Sequence, residues 1–236
     1  PVFVDVDPET LNINPDAIES AITQHTVAIL PVHLFGRPCE IDKISTIAER
    51  HNLKVIYDAA HTMGGRYNGR SIVSHGNMSV LSFHATKGFS TFEGGAVYCE
   101  DVDLKRNLDS LANFGLGNDD LAGVGLNGKM NEICAAMGLA QLPMLEETIS
   151  ARKVVAGRYD NLLEPINGVS AVIDGDTDGH NFLYYPVRVL PEFGTTAYET
   201  VLRLKERGID CRRYFNPLAC DYDFIRKNAT EQDFSL

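Results

Sequence analysis

Long apolar runs are missing from this chain. No stretch of about 18 or more apolar residues occurs among its 236, so the sequence offers no candidate for a membrane-spanning helix. Cysteine is sparse and scattered. Cys39, Cys99, Cys134, Cys211 and Cys220 have no close metal-type spacing, and an odd, dispersed set suits a reducing cytoplasm better than a disulfide framework. Basic residues are in deficit, with 21 Lys and Arg against 32 Asp and Glu and a net charge of −11. Nucleic-acid binders normally carry a basic surplus, so nucleic acid is not an expected partner. An anionic small molecule stays open, because a few local cations suffice for a phosphate. No G-x-G-x-x-G follows a strand-like run, which weakens a dinucleotide fold. Seven histidines, six of them between His25 and His84, form no H-E-x-x-H or similar pair, which argues against a metal site. The start, Pro1-Val2-Phe3-Val4-Asp5, is neither a signal nor a transit peptide.

What remains is an ordinary globular composition, 44% apolar and 22% charged. The length can bury one large domain and a smaller one. Through the first half, short apolar runs alternate with helical patterns. Thr26 to Val32, Leu53 to Tyr57, Ser79 to Phe83 and Gly95 to Cys99 read as strands, and Ile41 to His51 carries Ile41, Ile44, Ile47 and Ala48 at helical spacing. This alternation points to an α/β domain over residues 1–150 with a mostly parallel sheet. Lys129 to Leu163 is helical in pattern, with Pro143 predicting a break. Phe182 to Val189 reads as a strand and Thr195 to Arg207 as a helix stopped by Gly208, so residues 151–236 form the expected smaller domain.

Two residues stand out chemically. Asp58 ends one apolar run, and Lys87 follows another within Ser82-Phe83-His84-Ala85-Thr86-Lys87. Ligands of parallel α/β sheets sit beyond the carboxyl ends of the strands, where both residues fall. A lysine and a carboxylate so placed suit a pyridoxal phosphate enzyme. The lysine forms a Schiff base with the cofactor aldehyde, and the carboxylate keeps the pyridine nitrogen protonated, so the ring acts as an electron sink.

Five ordered blocks carry a resemblance: Asp58-Ala59-Ala60-His61, Ser82 to Lys87, Glu93-Gly94-Gly95-Ala96, Asn113-Phe114-Gly115 and Gly125-Leu126-Asn127-Gly128-Lys129-Met130-Asn131-Glu132. Together they resemble the DegT/DnrJ/EryC1/StrS family of sugar aminotransferases. The resemblance implies the aspartate aminotransferase fold (fold type I), with a large domain built on a seven-stranded-type sheet and a smaller α+β C-terminal domain. It also implies that family segments flanking these residues at both ends, including the loop that cradles the cofactor phosphate, are absent from the 236.

By the same resemblance Lys87 holds pyridoxal phosphate and shuttles protons, and Asp58 pairs with the pyridine nitrogen. His61 lies near the cofactor's phenolic oxygen, Ala60 near the ring face, and Ser82 on the phosphate. Asn127 reaches the phosphate in a neighbouring subunit, which implies a homodimer with shared active sites. Relatives with histidine in place of the lysine are sugar dehydrases, so Lys87 points to transamination. The implied reaction moves an amino group from an amino acid, by family habit L-glutamate, to a nucleotide-linked keto sugar. The Gly125 to Met130 block is more like members that aminate C4 of 4-keto-6-deoxyhexoses than like those acting at C3. The rival from another class is a non-catalytic truncated or regulatory relative that keeps the dimer surface. Retention of both Lys87 and Asp58 speaks against it.

Overall fold

The computed structural model describes residues 1–117, 120–172, 179–228 and 234–235. The chain forms two compact units, one of Thr26–Lys153 with Asp178–Tyr184, the other of Pro1–His25, Val154–Thr177 and Tyr185–Leu236. The expectation from the sequence was a single division at residue 150. Residues 178–184 belong with the earlier part of the chain because His180 and Asn181 bond to backbone carbonyls of Phe35, His61 and Met63.

The first unit is organised by a four-stranded sheet in the order Ala28–Ile29, Lys54–Asp58, Met78–Ser82, Gly95–Tyr98. The first three strands run parallel and the last is antiparallel. Mostly parallel is thus observed, with four strands in this sheet among the described residues rather than seven. The expected first strand is shorter than Thr26 to Val32. Pro31 has no N–H to give a ladder, and pairing resumes as an isolated bridge between Val32 and Asp58.

The helix Ile41–His51 joins the first two strands and ends at Asn52, whose left-handed conformation (φ 52°) closes it. Ile41, Ile44, Ile47 and Ala48 are its buried residues. Burying each isoleucine is worth about 1.5–3 kcal/mol, which outweighs the missing side-chain cap at its N-terminus. Tyr57 and Ser79 are paired neighbours on adjacent strands, and both are fully buried. His33 stacks on Tyr57 with ring centroids 4.4 Å apart. The Lys129 to Leu163 pattern resolves into helices Glu132–Gln141 and Leu145–Leu163, with a 3₁₀ turn at Leu142–Met144 where Pro143 predicted the break.

In the second unit, Val169–Ala171 and Val187–Val189 pair antiparallel. Helix Ala197–Glu206 starts with a capping box between Thr196 and Glu199. The expected strand from Phe182 shortens to Val187–Val189. Phe182 has φ 51°, a left-handed conformation outside the strand region, and its N–H goes to the His180 ring instead of a ladder partner. No helix among the described residues is long and apolar enough to cross a membrane.

Candidate functional site

Asp58 sits at the C-terminal end of its strand, half-buried. The chain turns sharply there, and Asp58 Oδ1 accepts the Ala60 N–H at 2.9 Å. That bond fixes the carboxylate and leaves Oδ2 without a hydrogen bond among the described residues. Ala60, half-buried, is thereby tied directly to Asp58.

Lys87 lies in the connection between the strands Met78–Ser82 and Gly95–Tyr98. The base of that loop is closed by Phe83, whose N–H donates to Gly94 O at 2.9 Å and whose carbonyl accepts from Thr91 N at 2.9 Å. Phe83 also meets Phe89 edge to face at 5.1 Å, and Gln141 Nε2 donates to Ser90 O at 2.7 Å. Lys87 is held by its own N–H to His84 O at 2.9 Å. Behind it Gly88 packs so closely that a Cβ there would fall 2.0 Å from Leu183 Cδ2. The lysine is therefore presented by a pinned loop. Its amine makes no hydrogen bond among the described residues, and desolvation lowers its pKa against the opposing pull of Asp58.

His61 is buried. Its Nδ1 accepts the Phe35 N–H at 3.2 Å, its ring stacks with Phe35 at 6.2 Å, and Tyr184 lies tilted against it at 4.5 Å. Burial first and the Lys87 charge second lower its pKa to about 4, with Asp58 pulling the other way. The ring is neutral at neutral pH, and because Nδ1 accepts, its proton resides on Nε2. Asp58, His61 and Lys87 thus share one electrostatic environment. Each keeps one polar atom free of hydrogen bonds among the described residues: Asp58 Oδ2, His61 Nε2 and Lys87 Nζ.

Ser82 stands half-buried at the foot of the lysine loop, where its Oγ accepts the His84 N–H at 3.4 Å. Asn127 is exposed and makes an isolated bridge with Asn113, with no interaction with the Asp58–His61–Lys87 group within the chain. Beside it Lys129 Nζ bonds Asn113 Oδ1 at 2.7 Å and sits 4.2 Å over the Phe114 ring. Sequence reasoning missed Phe35, Asn181 and Tyr184, which touch His61, and His180, which reaches Phe35. The His-Asn pair before an apolar run carries no signal of a partner 145 residues earlier in the chain.

The DegT/DnrJ/EryC1/StrS aminotransferase family matches residues 1–235. The chain belongs to this family. Its aminotransferases work with pyridoxal phosphate, and a free amine, a free carboxylate oxygen and a neutral imidazole N–H together are donors and acceptors that fit that group. A dTDP-4-amino-4,6-dideoxy-D-glucose transaminase of Shigella dysenteriae is 46% identical over 223 residues, which are 94% of this chain and 61% of that protein. A GDP-perosamine synthase of Caulobacter vibrioides is 38% identical, with 92% of this chain and 60% of that protein covered. The crystal structure of DesI in the presence of its TDP-sugar product superposes with a TM-score of 0.90 at 38% identity, over 97% of this chain and 59% of that one. The chain therefore spans about three fifths of the length of these relatives.

Proposed function

We propose that the protein is a pyridoxal phosphate-dependent aminotransferase that moves an amino group from an amino acid, L-glutamate by family habit, to a nucleotide-linked keto sugar. The observation that carries the reading is the set of three unspent polar atoms, Lys87 Nζ, Asp58 Oδ2 and His61 Nε2, within one electrostatic neighbourhood. The cofactor, when bound, supplies an electron sink for carbanion chemistry at the amine-bearing carbon. Lys87 holds it covalently at rest. Desolvation raises the neutral fraction of the Lys87 amine, which is the form that attacks a carbonyl and later takes and returns the proton at the substrate carbon. Asp58, its carboxylate fixed by Ala60 N–H, pairs through Oδ2 with the pyridine N–H. His61 offers an Nε2–H to the phenolic oxygen, Ala60 borders the ring, and Ser82 offers its hydroxyl to the phosphate.

Asn127, exposed within its own chain, serves the phosphate of a second copy in a homodimer. A 4-keto-6-deoxyhexose linked to a nucleoside diphosphate is the favoured acceptor. The block from Gly125 to Met130 supports it, and so do the two curated relatives, whose names specify such amino sugars or their synthesis. The test is to load the full-length protein with pyridoxal phosphate and L-glutamate, add candidate nucleotide-linked 4-keto sugars, and follow the product by mass spectrometry. An aminated sugar supports the reading. Covalent cofactor on Lys87 without amine transfer to any keto sugar would point instead to a non-catalytic relative.

A further inference from the structure

The segment from His180 to Tyr184 packs against His61 and is also wired to its ring by hydrogen bonds. The Phe182 N–H donates to His180 Nδ1 at 3.1 Å. A ring nitrogen that accepts carries no proton, so the neutral His180 proton lies on Nε2, and Nε2 is 2.9 Å from Phe35 O, a group that only accepts. Phe35 in turn donates its N–H to His61 Nδ1 at 3.2 Å. The chain of donors therefore runs from Phe182 N–H through His180 and the Phe35 peptide groups to His61, and at each ring it selects the Nε2–H tautomer. The last member, His61 Nε2, has no partner among the described residues and is not one of the fully buried polar atoms left unpaired.

The anchoring around this chain is tight. Asn181 is fully buried, with Nδ2 donating to His61 O at 2.7 Å and Met63 O at 3.1 Å, and Oδ1 accepting the Leu183 N–H at 3.3 Å. Gly36 has φ 89°, and a Cβ on it would fall 2.3 Å from Asn181 Oδ1. Both phenylalanines whose N–H groups feed the rings, Phe35 and Phe182, hold positive φ (55° and 51°). That conformation is unfavourable for a bulky residue and persists only where its surroundings impose it. Here each positive φ coincides with an N–H given to a histidine Nδ1.

We propose that His180 is a positioning residue: acting through the Phe35 peptide groups, it locks His61 as the Nε2–H tautomer and so presents a fixed donor N–H to an acceptor oxygen of the bound cofactor. The role toward the cofactor rests on the aminotransferase reading above; the tautomer lock does not. The charged groups facing His61 are Lys87, which disfavours the charged ring, and Asp58, which favours it. His180 is likewise kept neutral, by burial first and also by Arg37, against the opposing pull of the Phe35 carbonyl.

The experiment is two-bond ¹H–¹⁵N correlation of the histidine rings in the full-length protein, without and with pyridoxal phosphate. The His61 signals are identified by their loss in His61→Gln. The expected result is Nε2–H on both His61 and His180 in the wild type, with His61 titrating well below its ordinary 6.5. In His180→Phe, with circular dichroism unchanged, His61 becomes a mixture of tautomers and its titration midpoint rises by about a unit, a tenfold gain in proton affinity. His180→Gln, which keeps a side-chain N–H donor for Phe35 O, is expected to restore the single tautomer. A proton on Nδ1 of either ring in the wild type overturns the proposal even if no variant folds, and so does a His61 indifferent to His180→Phe. Covalent attachment at Lys87 is read separately by mass. A locked His61 without attachment keeps the tautomer lock and removes the cofactor reading, whereas attachment with an unlocked His61 does the reverse.

Discussion

Acid should weaken this fold through its buried neutral histidines, and one of them can be isolated by substitution. His61 falls from 6.5 to about 4 and His33 from 6.5 to about 3, both mainly because burial penalises the charged ring. In the unfolded chain each titrates near 6.5. Above that value neither state binds the proton and the neutral rings carry no pH-dependent cost. Below it the unfolded chain takes up protons that the fold refuses, so stability falls as pH drops through 6.5 toward the folded values. Each such histidine contributes a slope of about 1.4 kcal/mol per pH unit, and for His61 the whole span amounts to about 3 kcal/mol. His61→Gln removes one of these protons while its side-chain oxygen can still accept from Phe35 N–H. With no tryptophan in the chain, urea unfolding is best followed by far-ultraviolet circular dichroism, between about pH 8 and pH 5. Wild type should lose stability more steeply than the variant by about 1.4 kcal/mol per unit below pH 6.5, and the two curves should run parallel above it. Carboxylate titration is common to both proteins and cancels. Parallel curves throughout would mean that His61 takes up its proton in the fold as readily as in the unfolded chain, and would contradict its burial as a neutral ring.

Three further outcomes are expected. Ile44→Ala, at a fully buried helix position, should cost about 2–5 kcal/mol in chemical unfolding; a change under about 1 kcal/mol would contradict the assigned core. Gly36→Ala must place a Cβ in a left-handed backbone against Asn181, lowering thermal stability by about 1–3 kcal/mol and loosening the His61 tautomer in the ring spectra. Asp58→Asn keeps an oxygen for Ala60 N–H but loses the charge, so the fold should survive and kcat should fall about 10- to 150-fold, the value of one charge-assisted bond; an unchanged kcat would remove Asp58 from the ring-nitrogen role.

Much of the first unit was legible because its signals are local. The helix Ile41–His51 lies where its 3.6-residue period of isoleucines places it, and the strands Lys54–Asp58, Met78–Ser82 and Gly95–Tyr98 differ from expectation by about a residue at their ends. Pro143 marked a real break for the plain reason that it lacks an N–H. Phe182 to Val189 failed as a strand because local side-chain hydrogen bonds took the backbone donors of Phe182 and Leu183, a competition that apolar periodicity does not register. Asp58, His61 and Lys87 could be named from strand ends and motif blocks, and the fold gathers them into one electrostatic neighbourhood. The ring around His61 was not legible. His180 and Asn181 donate from their side chains, but the carbonyls of Phe35 and His61 that accept, and the Phe35 N–H that meets the His61 ring, are backbone groups that any residue type supplies, so composition and spacing do not reveal the pairing.

The central claim is that Lys87 carries the cofactor. The most direct measurement adds pyridoxal phosphate to the full-length protein, records the visible spectrum, reduces with borohydride and maps the modified peptide by mass. A visible band abolished by reduction is expected, with the pyridoxyl mass on the peptide containing Lys87 and nowhere else, and no such adduct in a folded Lys87→Ala protein. A folded wild type that yields no adduct, or an adduct on another lysine, would contradict it.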